Sequence, residues 1–355
     1  MSNLGSKLEA MWYSGARPLW LAPFSFLYGM AMACRGFLYR IGLRDRARLP
    51  VPVVVVGNLT VGGTGKTPLV AWLSTHLADC GLRVAIVSRG YGGRARGVTR
   101  VTIHSRPSEV GDEPLLLARR AQATVFVGKD RVAAAKHAVA EGADLVLADD
   151  GLQHLRLMRD CEIVVIDGQR GFGNGCLLPR GPLRESPRRL RRVNAVVVNG
   201  AVTAPGFKLP KFVTHTAFSM GMQPGDARPV SGAGPLRALA SFRGTGVHAV
   251  AAIGNPQRFF DMLRAAGLTL YEHPMPDHHA FKSGDLNFGD ALPVLMTEKD
   301  AVKCAAFADE RCWYVPVTAE FEPGQARALV DLVIARVNAF NAASRPPRKV
   351  DHGNG

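Results

Sequence analysis

Between residues 51 and 200 the apolar positions fall into short unbroken runs, at residues 53–56, 84–87, 124–127, 145–148, 163–166 and 195–198. Each run has the length of a strand and is apolar at successive positions, as strands covered on both faces are. After the first run, Leu69, Val70, Leu73 and Leu77 recur at helical spacing. The alternation of run, loop and helix predicts an α/β domain with a parallel sheet and helices on both faces. In such sheets ligands bind beyond the carboxyl ends of the strands, so the residues that follow each run are the ones to read for chemistry.

The first run leads into Gly57-Asn58-Leu59-Thr60-Val61-Gly62-Gly63-Thr64-Gly65-Lys66-Thr67-Pro68 and then into the helix. Glycines between a strand and a helix let successive backbone N–H groups converge on phosphate oxygens, and the helix N-terminus adds positive potential. Thr60, Val61, Gly62, Gly63, Thr64, Gly65, Lys66 and Thr67 therefore form the predicted nucleotide site. Lys66 reaches the β- and γ-phosphates, and the Thr67 hydroxyl is placed to ligate Mg²⁺. The pattern is a P-loop with one departure, since Thr60 stands where a glycine is usual.

Beyond residues 145–148 come Asp149-Asp150-Gly151-Leu152-Gln153-His154. Two carboxylates at the end of a buried strand sit where P-loop folds hold Mg²⁺. Ser88-Arg89-Gly90-Tyr91-Gly92-Gly93-Arg94 is a glycine-rich basic loop suited to an anion, and the Pro/Gly-broken segment around Arg184 and Glu185 carries guanidinium groups able to bind or neutralise phosphate. Asp112, in Gly111-Asp112-Glu113-Pro114, reads equally as a helix cap and as a catalytic carboxylate.

Residues 203–235 are rich in Pro and Gly, with an extended piece at 212–218, and read as a linker. A second set of strands follows at 247–253, 268–271, 294–296 and 313–317, with Asn255-Pro256 capping a helix through Leu263 and an amphipathic helix at 325–340. In this part Pro276-Asp277-His278-His279 places two histidines beside an acid in a Pro-bounded loop, able to orient or share a proton. Thr297 caps a helix. The predicted division is a membrane-interface helix in 1–45, a P-loop NTPase-like domain in 46–205, a linker in 206–235, a second, smaller α/β domain in 236–342, and a disordered tail in 343–355.

Residues 18–34 carry no charge, include Trp20, Phe24, Phe26, Leu27 and Tyr28, and are flanked by Arg17 and by Arg35, Arg40, Arg44, Arg46 and Arg48. Pro18, Pro23 and Gly29 interrupt the stretch, which favours an interfacial helix over a span. Composition adds little: 355 residues, 47% of them hydrophobic, support two cores, and a net charge of +15 favours an anionic surface or substrate. The basic residues form no recognisable nucleic-acid module, and the six scattered cysteines make neither a disulfide framework nor a zinc site, as in a reducing cytosol.

Taken in order, the glycine-rich loop, Ser88-Arg89-Gly90-Tyr91, Gly111-Asp112-Glu113-Pro114, Asp149-Asp150-Gly151-Leu152-Gln153-His154, Pro276-Asp277-His278-His279 and Thr297-Glu298-Lys299-Asp300 resemble the tetraacyldisaccharide 4'-kinase family over nearly the whole chain. The resemblance implies two α/β/α domains joined by a two-stranded linker, in a peripheral enzyme on the cytoplasmic face of the Gram-negative inner membrane. It implies transfer of the γ-phosphoryl of ATP to the 4'-hydroxyl of a tetraacylated glucosamine disaccharide 1-phosphate, with Mg²⁺ and without nucleic acid or an obligate protein partner. Carried over by position, Asp112 is the general base and His278 its partner from the second domain. Lys66, Asp149, Asp150 and Arg184 complete the catalytic set, and Thr67, Glu113 and Asp150 hold the metal; Gln153, His154 and Glu185 fall nearby. The competing reading from the loop alone is a P-loop switch or metallochaperone-like ATPase that acts on a protein partner.

Overall fold

The computed structural model describes residues 3–344 except Ala233 and His278, with side chains described from residue 8 onward and Thr214 also excepted. Two helices open the chain, α1 (Asn3–Tyr13) and α2 (Ala22–Arg40). The α/β domain follows with β1 (Val53–Gly57), α3 (Lys66–Asp79), β2 (Val84–Ser88) and β3 (Thr99–Val101). After a short turn of helix, α4 (Pro107–Val110), come α5 (Asp112–Arg120), β4 (Thr124–Val127), α6 (Arg131–Ala140), β5 (Leu145–Asp149), β6 (Cys161–Asp167) and β7 (Ala195–Asn199). All six apolar runs are strands.

Side chains of successive strand residues point to opposite faces, and both faces of β1 are covered. Val54 and Val56 pack with Leu69, Leu73 and Leu77 of α3 and with Leu115 and Leu117 of α5. Val53 and Val55 pack with Leu59, with Val132 and Ala135 of α6, and with Leu183 and Leu190. Leu69 and Leu73 are fully buried, and each such side chain contributes roughly 1.5–3 kcal/mol. This burial fixes the register of the central strands, and with it the position of the loops at their carboxyl ends.

The chain then enters β8 (Ala217–Pro224), which pairs parallel with β7 and widens the sheet. The second domain holds β9 (Arg228–Pro229), β10 (Gly246–Ala251), α7 (Pro256–Ala265), β11 (Thr269–Pro274), β12 (Val294–Thr297), α8 (Glu298–Cys304) and β13 (Cys312–Val315), in a five-stranded sheet ordered β11-β10-β12-β13-β9. The last two elements return to the first domain. β14 (Val317–Glu320) pairs antiparallel with β8, giving a nine-stranded sheet ordered β14-β8-β7-β6-β1-β5-β2-β4-β3.

The final helix, α9 (Pro323–Ser344), buries Leu329, Val333 and Val337 in the core that also contains α3. The expected second domain of 236–342 is therefore corrected at its C-terminal end. Its apolar stripe finds the face of the first sheet, because β14 carries the chain back there. The extended piece expected at 212–218 is largely a 3-10 turn over Lys211–Thr216, with the strand starting at Ala217. Residues 345–355, the greater part of the expected tail, lie outside the described residues.

One side of α2 is held by the domain. Ser25 Oγ donates to Leu177 O (2.8 Å), Tyr28 Oη to Arg184 O (3.1 Å) and Arg35 Nη2 to Gln153 O (2.9 Å). Phe24, Phe26, Leu27, Met30 and Phe37 of α2, and Trp20 in the 3-10 turn just before it (Leu19–Leu21), are exposed. The helical stretch Leu19–Arg40 is long and apolar enough to cross a membrane, and 11% of its apolar window is buried. The helix is thus fastened to the domain along one side, while its apolar other side is left uncovered by the described residues.

Candidate active site

The nucleotide loop lies at the carboxyl end of β1, in the middle of the sheet. Thr60 forms an antiparallel bridge with Leu183, and Val61 N donates to Pro182 O (2.9 Å), which ties the loop's entry to the segment that carries Arg184. Gly65 has φ 91°, in the left-handed region, and an added Cβ there would overlap the Asn199 amide and the Met222 methyl. Only glycine fits. Asn199 Nδ2 donates to Thr64 O (3.0 Å), so the end of β7 braces the loop from behind.

Lys66 and Thr67 open α3. Lys66 Nζ donates to Asn58 Oδ1 (3.2 Å) and lies 3.7 Å from Asp150 Oδ1. Arg184 grips Asp150 with two nitrogens, at 2.9 and 3.2 Å, and reaches Asn58 O at 3.0 Å. Asp150 has φ 47°, a conformation that side-chain-bearing residues seldom adopt and that tends to mark functional sites. Burial pushes its carboxyl up, but Lys66 and Arg184 outweigh that and hold it below the ordinary carboxylate range.

Its neighbour behaves in the opposite way. Asp149 is 1% exposed, and both carboxylate oxygens lack a hydrogen-bond partner among the described residues. Burial first, then the nearby Glu113 carboxylate, raise its pKa to about 7. A buried carboxyl group with two idle oxygens is a donor that a hard divalent cation satisfies, although among the described residues no three acidic, histidine or cysteine side chains converge on one point. Gln153 links Asn58 O (3.3 Å) to Glu185 Oε1 (2.9 Å), and burial pushes the His154 imidazole down to about 4.

Asp112 is not the helix cap. Gly111 takes that place, with φ 91°, and Asp112 is the first residue of α5. Its carboxylate faces the second domain, where Lys303 Nζ lies at 3.5 Å. Glu113 Oε1 accepts from Lys299 Nζ at 3.0 Å, and Lys299 is also 3.5 Å from Asp277. Lys299 and Lys303 are four residues apart on α8, so both project from one helical face toward the acids of α5. Burial lowers the Lys299 pKa, and Glu113 and Asp277 more than reverse this, keeping the group charged. Thr297 caps α8, accepting from Asp300 N (3.2 Å). His278 lies outside the described residues.

A family model described as LpxK, tetraacyldisaccharide-1-P 4'-kinase, matches residues 17–335. The chain belongs to this family. It is 50% identical to the tetraacyldisaccharide 4'-kinase of Alkalilimnicola ehrlichii over 94% of this chain and 99% of that one. It is 47% identical to the protein of the same name from Methylobacillus flagellatus, over 93% and 95%. A crystal structure of LpxK from Aquifex aeolicus in complex with ATP superposes with a TM-score of 0.74 at 29% identity, covering 89% of this chain and 98% of that chain. Membership favours the kinase reading over a switch ATPase.

The fold brings Lys66, Asp150 and Arg184 into direct contact, with Asp149 behind them. Asp112 and Glu113 stand on α5 and meet α8. Reading the sequence missed Asn58, which holds both Lys66 and Arg184, and the two lysines of α8. The lysines had a legible signal in their spacing of four behind a capping threonine. Asn58 had none, because its role depends on a loop more than a hundred residues away.

Proposed function

We propose that this chain transfers the γ-phosphoryl group of ATP to the 4'-hydroxyl of a tetraacylated glucosamine disaccharide 1-phosphate, working as a peripheral enzyme on the cytoplasmic face of the inner membrane. The observation that carries the reading is the cluster of Lys66, Arg184 and Asp150 around Asn58, set in a glycine loop and backed by the idle carboxylate of Asp149. Phosphoryl transfer asks for positioning and charge stabilisation more than covalent chemistry, and these are the groups that supply both.

The backbone of residues 60–65 and the Lys66 ammonium bind the phosphates, and Arg184 neutralises charge on the group in transfer. Thr67, Asp150 and Glu113 would hold Mg²⁺, with Asp149 as a further donor, and the chemistry a bound ion would supply is neutralisation of phosphate charge. Asp112 accepts the proton of the attacking hydroxyl, oriented by His278 from the second domain. A base must lie within hydrogen-bond reach of its proton, and closure of the second domain on α5 brings the two sides together while it excludes water.

The test is incubation in detergent micelles with Mg²⁺, γ-labelled ATP and tetraacyldisaccharide 1-phosphate. Label at the 4' position is the expected result. Protein that binds ATP and leaves the lipid unlabelled would overturn the reading.

The exposed face of α2 and of the turn that leads into it, Leu19–Leu21, supplies the membrane contact, since an acceptor with four acyl chains stays in the bilayer. Trp20→Ser combined with Phe26→Ser is expected to weaken binding to anionic vesicles at least tenfold, because each large apolar group contributes roughly 1.5–3 kcal/mol when buried. These are better probes than deletion of residues 1–45, since α2 also holds the loops of Gln153 and Arg184. Co-sedimentation with the vesicles reads the effect, and unchanged binding would remove α2 from the interface.

A further inference from the structure

The turn between β10 and α7, in the second domain, lies directly on the nucleotide loop. A Cβ built on Gly254 would overlap Gly63 N and crowd the carbonyl carbon and Cα of Gly62, so the two backbones touch with no side chain between them. Two side chains secure this approach. Arg258 Nη2 donates to Asp167 Oδ1 (2.5 Å) and to Asn199 O (3.2 Å), and Asn255 Nδ2 donates to Asp167 Oδ2 (3.3 Å) and Gln169 Oε1 (3.4 Å).

Asp167 ends β6 and is 2% exposed, and it also accepts from the backbone N–H groups of Gln169 and Arg170. Asn255 occupies the cap position of α7 without capping it; its side chain is spent on the other domain instead. A helix start that gives up its cap, and a buried carboxylate whose charge is matched from across a domain boundary, are costly unless the docked state is used. The docking also reaches the loop from behind, since Asn199, which accepts from Arg258, braces Thr64.

We propose that Gly254, Asn255 and Arg258 form a latch that clamps the second domain onto the nucleotide loop, positioning the loop for phosphoryl transfer and requiring the Arg258–Asp167 pair to part before nucleotide exchanges. These are positioning residues. The inference rests on the kinase reading only for its effect on turnover; its effect on nucleotide exchange stands without an acceptor.

Gly254→Ala separates docking from folding. Gly254 does not have a positive φ, and the atoms its new methyl meets belong to the other domain. The experiment follows release of a fluorescent ADP analogue by stopped flow in the full-length protein, alongside thermal unfolding and steady-state turnover. Gly254→Ala and Arg258→Ala are expected to speed release and to lower kcat by at least roughly tenfold each, the scale of the weaker couplings measured between close charges across an interface. Arg258→Lys is expected to fall between wild type and Arg258→Ala, and the unfolding midpoint of Gly254→Ala to stay at the wild-type value. Wild-type release rates in both Gly254→Ala and Arg258→Ala would overturn the latch. So would faster release confined to variants that unfold at lower temperature. If release responds as expected and no lipid is labelled by wild type, the latch stands and the acceptor assignment fails.

Discussion

Lys66→Ala is expected to lower kcat by on the order of 10²–10³-fold, the cost of removing one preorganised charge-stabilising donor from a site of this kind. Lys66 is the cationic group that the nucleotide loop brings to the cluster; Arg184 and Asp150 arrive from other segments and hold each other without it. The variant should therefore keep its fold, with Asp150 still gripped by Arg184, and the loss should fall on the transition state. Initial rates at saturating ATP and acceptor, with circular dichroism as the control for folding, read the effect. A kcat within tenfold of wild type would remove Lys66 from the catalytic set.

Asp112→Asn is expected to lower kcat by about 10²–10⁴-fold, the usual contribution of a general base, with little change in KM for either substrate. The substitution keeps the shape of the side chain and removes its basicity. Lys303 keeps a partner on its own helix in Asp300 (3.1 Å), and the Glu113–Lys299 pair (3.0 Å) still joins α5 to α8, so the domain contact survives the change. Near-normal turnover at saturating substrate would show that the acceptor hydroxyl loses its proton elsewhere.

The parts of this molecule that could be read from sequence are those where a local signal coincides with a local cause. Residues 53–56 are β-branched at every position, and a strand buried on both faces demands that. Gly62 and Gly65 after them stand where the loop turns through the left-handed region, and the acids at 149–150 lie at the end of a buried strand. The two aspartates nevertheless diverge in a way no motif announces: one is gripped by Arg184 and Lys66, the other is left buried with idle oxygens.

What escaped was non-local. β14 has only half-buried alternation over four residues, and its place in the first sheet is decided by pairing with β8. Once that pairing is missed, α9 is naturally assigned to the domain it follows in sequence. Asn255 reads as the cap of a helix and stands at the cap position, but its side chain does no capping and answers to Asp167 in the other domain rather than to its own backbone. Contacts of this kind carry no period, so no spacing rule finds them.

The second domain is joined to the first by two chain crossings that are neighbours, since Val317 pairs with Pro224 and Gly225 N donates to Pro316 O (2.8 Å). A single tether would let the two bodies swivel freely. Two strands laced together as a ribbon resist twisting and yield most readily by flexing across their thin direction. The motion open to the second domain is thereby narrowed toward one arc. Along such an arc the contacts of α7 with the nucleotide loop and of α8 with α5 are made and broken in the same swing.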